Sequence, residues 1–488
     1  MFETIITEHA RGRPDAFAIV DGYNVVTYGQ MADDIAKASE WLGNLGVVAG
    51  ERIVLHIPSV HEHWVMFFAI EALGSTSVAV HAAWPTSKAQ LDLLGADRLI
   101  TTVASGEGLK GQIHVLEKSW LTSQKSRSVP AMPTPQRSGE DRICIVLSSG
   151  TTGEAKMVML TRAMLDLRVI DQRTSDLLVD GARVLQMLPN SSIGGLISTL
   201  SIWAVGATLG PYNHDISILD RFARLQPTVI AAAPTHLDEI IQMLPDDFVA
   251  NPPIHVSTGG GSVPSGLADG ISRKLRGRIA MTYGSTEMGY VARGDYNAAQ
   301  APEGAVGSVL EHVEVDVRDA DGKSLSRGEL GQVWVRGGHV VDGFLDSPEH
   351  TASLFQDGWF HPGDLGVLEA DGRLFIKGRS DDLMNFRGLK LLAPRIEERI
   401  LKIEGVNEAA VFLAKRPEDL ESRVWVVYCA DRPIDPKQIG STMARGIHFR
   451  AVRVETIPRN AMGKIDRAWL RRQVELVKAP SSELGVGS

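Results

Sequence analysis

Short apolar runs recur along the chain to about residue 300: AFAIV, ERIVLHI, STSVAV, DRLITT, ICIVLSS and TVIAAAP. Between them lie segments whose apolar residues return at helical spacing, as in MADDIAKASEWLGNLG. A strand covered on both faces reads as unbroken apolar sequence, so such runs alternating with amphipathic helices predict βαβ units and mostly parallel, doubly wound sheets. The most apolar stretch, Gly194 to Gly210, is short for a membrane span and rich in Gly, Ser and Thr, and predicts a buried helix.

From about residue 303 to 377 the texture changes. VEVDVRDADGKSL, GQVWVRGG and GRLFIKG alternate apolar with polar positions and carry Asp-Gly turns, which predicts antiparallel hairpins and a small β-barrel-like subdomain. After Gly378 a third texture begins, with a helix expected at PRIEERILKI and strands at EAAVFLAK and RVWVVYCA. The division expected is an α/β domain over 1–380 and a small α+β domain over 381–488. The Ser/Pro-rich segment 122–140 reads as an exposed linker, and no internal repeat is visible.

Length agrees with that division, because 488 residues exceed what one hydrophobic core organises. A hydrophobic fraction of 44% and a charged fraction of 22% belong to a folded chain, not a disordered one. The formal net charge of -9, without long like-charge runs, gives no reason to expect nucleic acid as a partner. Cys144 and Cys429 are the only cysteines, too few for a disulfide framework, and no unbroken apolar segment opens the chain. A reducing cytoplasm fits best.

Candidate chemistry begins at LSSGTTGEAKMVML, Leu147 to Leu160. Glycines expose backbone N–H groups to a phosphate, hydroxyls add donors, and a lysine adds charge; Ser148, Ser149, Gly150, Thr151, Thr152, Gly153 and Lys156 are of the right types. A Walker A loop requires glycine before its lysine and Ser or Thr after it, whereas Ala155 and Met157 stand there. This is a different phosphate cradle, or else a plain surface turn.

SSGTTGEAK resembles the phosphate loop of the superfamily containing acyl-CoA synthetases, nonribosomal-peptide adenylation domains and firefly-type luciferases. MTYGSTEMG, DGWFHPGDLG, KGRSDDLMNFRGLKLLAPRIEE and IPRNAMGKIDR match further segments of that family, in order. The resemblance implies activation of a carboxylic acid by ATP and Mg2+ to an acyl-adenylate, then transfer to the thiol of coenzyme A or of a phosphopantetheinyl carrier protein. It implies that Lys464 bridges the acid's carboxylate and the α-phosphate, that Thr286 donates to that phosphate, and that Glu287 is the metal ligand. Tyr283 would lie along adenine, with Gly284 and Ser285 in the same motif, and Gly260, Gly261 and Ser262 of TGGGSV against the base. Asp364 and Arg379 would take the ribose hydroxyls. Asp381 matches the hinge on which a mobile C-terminal domain turns, and Gly388 the wall of the thiol tunnel. Read without the family, YGSTE is a strand end followed by a helix capped by Ser285 or Thr286.

Relatives commonly carry an aromatic and a histidine after the Leu-Pro of LPNSSIGGL, where this chain has Ser191 and Ser192. By resemblance the acyl pocket would draw on Ser192, Gly194, Gly195, His236 and Met288. Small residues suggest room there, and a hydroxyl with a histidine suggests a polar substituent, so an aryl or hydroxylated acid is expected over a long fatty acid. His236 reads equally as a helix-surface residue. A stand-alone enzyme that loads a carrier protein, and an inactive nucleotide-binding paralogue, are the alternatives.

Overall fold

The computed structural model describes residues 4–476 apart from 82–83, 85–86, 103–112, 118–119, 124–137, 150–154, 174–175, 214, 297–303, 387–388, 417–418, 420, 444–446 and 460–464. Two sheets and their helices fill the N-terminal part. The six-stranded sheet joins Ile113–Val115, Arg98–Thr101, Arg52–His56, Thr76–Ala79 and Arg142–Ser149 in parallel, and Ala155–Thr161 closes it antiparallel. Four of the apolar runs, ERIVLHI, STSVAV, DRLITT and ICIVLSS, are strands of this sheet, continuous because both faces are covered, while AFAIV and TVIAAAP lie in the larger sheet.

The larger sheet has two textures. Strands Phe17–Asp21, Thr208–Pro211, Arg183–Gln186, Val229–Ala231, Ile254–Gly259 and Arg276–Ser285 run parallel. From Arg276–Ser285 onward the pairing turns antiparallel, through Gly289–Tyr296, Ala305–Val309, Arg373–Arg379, Asp364–Leu368 and Leu330–Arg336. The antiparallel portion therefore begins ahead of residue 303, where the alternation first becomes plain, and shares hydrogen bonds with the parallel part.

Local sequence explains where the helices start. Tyr28–Asn44 opens on a capping box, Thr27 accepting from the Gln30 amide and the Gln30 side chain answering the Thr27 amide, and its buried Met31, Ile35, Ala38 and Leu42 form one stripe. Val60–Ala72 and Ile193–Ala204 are apolar almost all round and lie inside. Trp64 and Trp203 meet edge to face at 5.4 Å in that core, and the Trp203 indole donates to the Ala18 carbonyl at 2.9 Å. The stretch expected as one buried helix is a helix only to Ala204; Gly206 turns the chain and Thr208–Pro211 is a parallel strand. Among the described residues no helix is long and apolar enough to cross a membrane.

The C-terminal part has its own three-stranded sheet, Val406–Ala414, Arg423–Ala430 and Phe449–Arg453. Apolar clusters cover both its faces, one around Ile396, Ile400 and Val426, the other around Phe412, Trp425 and Leu470. Most of the segment expected as a linker, 124–137, lies outside the described residues.

Candidate active site

The phosphate-loop sequence forms the end of a hairpin. Ser148 is paired with Lys156 and Ser149 with Ala155, so both ends of the loop are pinned by backbone hydrogen bonds. Gly150, Thr151, Thr152 and Gly153 lie outside the described residues, and only the backbone of Ser149 is described. The Lys156 ammonium stands 5.0 Å from the centre of the Phe344 ring. Partial burial lowers its pKa from the usual lysine range, and the Glu287 carboxylate pulls the other way. Lysine and glutamate from motifs 131 positions apart in sequence thus sense each other's charge.

The YGSTE segment does not enter a helix. Strand Arg276–Ser285 ends in a tight turn over 286–288 and returns as Gly289–Tyr296. The Ser285 hydroxyl donates to Glu287 Oε2 at 2.7 Å and accepts from the Met288 amide at 3.4 Å. A hairpin needs close strands: a Cβ on Gly284 would lie 2.1 Å from the Gly289 carbonyl oxygen. The Glu287 carbonyl accepts from the Val341 amide at 2.9 Å, and the Leu345 amide donates to the Met157 carbonyl at 2.9 Å. Segment 341–345 therefore laces the turn to the lysine-bearing strand.

Arg168, which the family motifs do not include, completes this end of the site. It is wholly buried on helix Arg162–Arg173 and donates to the carbonyls of Thr286 at 3.0 Å and Glu287 at 3.2 Å. The sequence carries a faint signal for it: Leu165, Arg168, Val169 and Gln172 share one buried helical stripe.

At the other end, Tyr283, Asp364 and Arg379 form one bonded chain. The Tyr283 hydroxyl donates to Asp364 Oδ2 at 2.5 Å, and Arg379 Nη1 donates to Oδ1 at 3.0 Å. Asp364 and Arg379 are directly opposed on neighbouring strands, which fixes the ion pair before any ligand arrives. Burial, then the charge of Asp364, raises the Tyr283 pKa well above its ordinary value. Gly260, Gly261 and Ser262 form an exposed turn after strand Ile254–Gly259; Gly260 has φ +79°, which a side chain would strain.

A nucleotide with a hard cation suits these groups. Both Asp364 oxygens keep a lone pair for a sugar hydroxyl, and Glu287 keeps Oε1 outside its bond to Ser285. Among the described residues no cluster of three metal-ligating side chains exists. One carboxylate fits Mg2+, which is commonly held by one or two carboxylates together with substrate phosphates.

The expected acyl-pocket residues divide. The Ser192 hydroxyl caps helix Ile193–Ala204, accepting from the Gly195 amide at 3.1 Å and donating to the Pro189 carbonyl at 2.8 Å. A Cβ on Gly195 would lie 2.0 Å from the Pro189 oxygen, and one on Gly194 would lie 3.2 Å from Leu188. The smallness of Gly195 therefore serves the helix start. Met288 packs into the apolar core. His236, half-buried at the start of helix Pro234–Met243, has its Nδ1 buried without a hydrogen-bond partner among the described residues.

Lys464 and Gly388 lie outside the described residues, and Asp381 is described by backbone alone, in the 3-10 turn Ser380–Asp382. Arg459 and Ile465, which flank segment 460–464, pair as an antiparallel bridge. Beside the expected hinge, Asp382 meets Arg467 at 3.3 Å, and Arg467 also binds Glu397 with bonds of 2.7 and 2.6 Å.

The sequence profile of the family described as AMP-binding enzyme matches residues 6–345. The chain is 25% identical to 4-coumarate--CoA ligase 4 of Arabidopsis thaliana, with 95% of this chain and 89% of that protein covered. It is 26% identical to 4-coumarate--CoA ligase CCL1 of Humulus lupulus, with 92% and 89% covered. Among solved structures it is similar to ATP-bound MatB from Rhodopseudomonas palustris, with TM-score 0.81, 22% identity, and 97% and 99% covered. It is also similar to O-succinylbenzoate coenzyme A synthetase (MenE) of Bacillus subtilis in complex with ATP and magnesium ion, with TM-score 0.82, 21% identity, and 96% and 99% covered.

Proposed function

The chain belongs to the AMP-binding enzyme family, adenylate-forming ligases of the acyl-CoA synthetase kind, and from that premise we propose that it joins a hydroxylated aryl acid to coenzyme A. In the first step a carboxylate oxygen of the acid attacks the α-phosphorus of ATP, the bond to the β-phosphate breaks, and pyrophosphate leaves. In the second the thiol attacks the acyl carbonyl, loses its proton and expels AMP.

The observation that carries this reading is the meeting of two poles at the end of one strand. Tyr283, bonded to Asp364, and Glu287, beside Lys156, are four residues apart. Even fully extended, four residues span at most roughly 13 Å, and the turn over 286–288 shortens that, so one nucleotide can reach both poles. Asp364 and Arg379 would hold the sugar, Lys156 and the hydroxyls of its hairpin the outer phosphates, and Thr286 the α-phosphate. Glu287 would hold Mg2+, which when bound neutralises phosphate charge in the transition state. Lys464 would place its ammonium between the carboxylate and the α-phosphate, where charge accumulates.

Two observations support the class of acid. The curated relatives are named for 4-coumarate, an aryl acid bearing a hydroxyl. The buried, unpartnered Nδ1 of His236 suits a polar substituent better than an alkyl chain. With the Ser192 hydroxyl taken by its cap, selection falls to His236 and Ser191. Incubation with MgATP, coenzyme A and a panel of aryl, hydroxyaryl, dicarboxylic and fatty acids, read by mass spectrometry, tests this. Thioester from hydroxyaryl acids is the expected product. Preferential use of fatty acids would overturn the substrate class, and transfer only to a carrier protein would overturn the acceptor.

A further inference from the structure

We propose that Arg168 is a positioning residue that sets the Thr286–Glu287 peptide against the phosphate hairpin, so that Glu287 meets a divalent cation on the nucleotide; the inference rests on the nucleotide-binding reading above. Arg168 stands on the helix that directly follows the strand bearing Lys156. Its Nη1 donates to the Thr286 carbonyl and one Nη2 bond goes to that of Glu287, while Nη2 and Nε reach the His339 carbonyl at 2.7 and 3.1 Å. One guanidinium thus joins the metal-ligand turn to the segment that runs on to Val341 and Leu345. That segment bonds back to Glu287 through Val341 and to Met157, beside Lys156, through Leu345. The circuit closes on itself.

A planar fork of five donors makes four bonds to three carbonyls here, more than the three donors of an ammonium or the two of an amide allow. The site holds the fork tightly: a Cβ on Gly289 would come within 3.0 Å of Arg168 Nε and 2.9 Å of the His339 ring. Burial lowers the Arg168 pKa to about 10, with the Cys144 thiol and then the Glu287 carboxylate acting to raise it, so the group is charged at neutral pH. Burying a cation whose hydrogen bonds, among the described residues, go to carbonyls is costly. Its position is accounted for if those carbonyls belong to the peptide that must not move when a triphosphate and its cation arrive.

The test compares full-length wild type with Arg168→Lys and Arg168→Gln. ATP binding is measured by calorimetry across a Mg2+ series, and adenylation by acid-dependent pyrophosphate exchange. Arg221→Lys is the control, because Arg221 is also buried and bonded to carbonyls, those of Pro211 and Asn213, on a different helix. Loss of charge-assisted bonds to the turn should raise the Mg2+ needed for half-maximal ATP binding about tenfold and slow exchange about tenfold or more. Thioester formation from supplied acyl-adenylate should stay within about twofold of wild type. Arg221→Lys should lower thermal stability without moving the Mg2+ dependence. An unmoved Mg2+ dependence in both Arg168 variants, or an equal shift in Arg221→Lys, overturns the proposal. Should both variants fail to fold, Gly289→Ala, which crowds the guanidinium without removing it, must give the same shift or the proposal falls. MgATP binding without exchange on any acid would sink the proposed reaction alone, since the binding series still decides the role of Arg168. Absence of MgATP binding by wild type would sink both.

Discussion

Asp364 illustrates how far one side chain can be read. Resemblance of its motif proposes it as a sugar-binding carboxylate, while the structure adds that Tyr283 and Arg379 hold it from two sides. Asp364→Ala removes a charge-assisted acceptor and leaves Arg379 unpaired, so KM for ATP should rise about tenfold to a hundredfold, measured by pyrophosphate release. Lys464 answers to a different assay. Lys464→Ala should slow adenylation by about a hundredfold or more while supplied acyl-adenylate is still converted to thioester at near wild-type rate. Equal loss in both half-reactions would be incompatible with the role given to its ammonium. These residues are legible because each stands in a motif whose residue types the chemistry demands. Arg168 is not, since a basic residue on an amphipathic helix ordinarily faces water, and only its place on the Leu165–Val169 stripe points inward.

At the scale of elements, strand runs and helices were plain in the hydrophobic pattern wherever an element meets one environment along its length. Gly194 to Gly210 defeats that reading, because a buried helix and a buried strand are equally apolar and periodicity cannot separate them. YGSTE defeats it differently: Ser and Thr favour helix caps and tight turns alike, and only the partner strand Gly289–Tyr296 decides. The Ile193–Ala204 helix gives a direct test. Ser192→Ala should cost about 1 kcal/mol in chemical denaturation through loss of the cap and leave the order of preferred acids unchanged. A changed order would return Ser192 to the acyl pocket. Gly195→Ala drives a methyl into the Pro189 carbonyl and should cost about 1–3 kcal/mol, seen in the same denaturation curve.

Over the whole molecule, two buried histidines contribute to the response to acid. His63 and His339 are held at pKa values of about 4 against an ordinary 6.5, burial being the largest cause for each. Between those values the unfolded chain binds protons that the native chain refuses. The histidines' contribution to stability is full above about pH 6.5 and falls as pH drops towards 4, by up to about 3 kcal/mol per histidine at the low end. His63→Phe should flatten that limb in denaturation measured at pH 7, 6 and 5. Rotation of the C-terminal domain is the other proposal of this scale, motivated by the need for one acyl site to serve two half-reactions. Gly388→Leu should therefore slow thioester formation while sparing adenylation, the mirror of Lys464→Ala. By itself the sequence determined the order of the motifs, the parallel-then-antiparallel texture and the kind of chemistry, because those depend on residue type and local period. Only the tertiary structure decided that the Ser192 hydroxyl caps a helix, that Gly195 packs against the Pro189 carbonyl, and that Arg168 grips the Thr286–Glu287 turn. The first two depend on how the chain turns between Leu188 and Gly195, and the third on contacts between segments more than a hundred residues apart; residue type and local period encode neither.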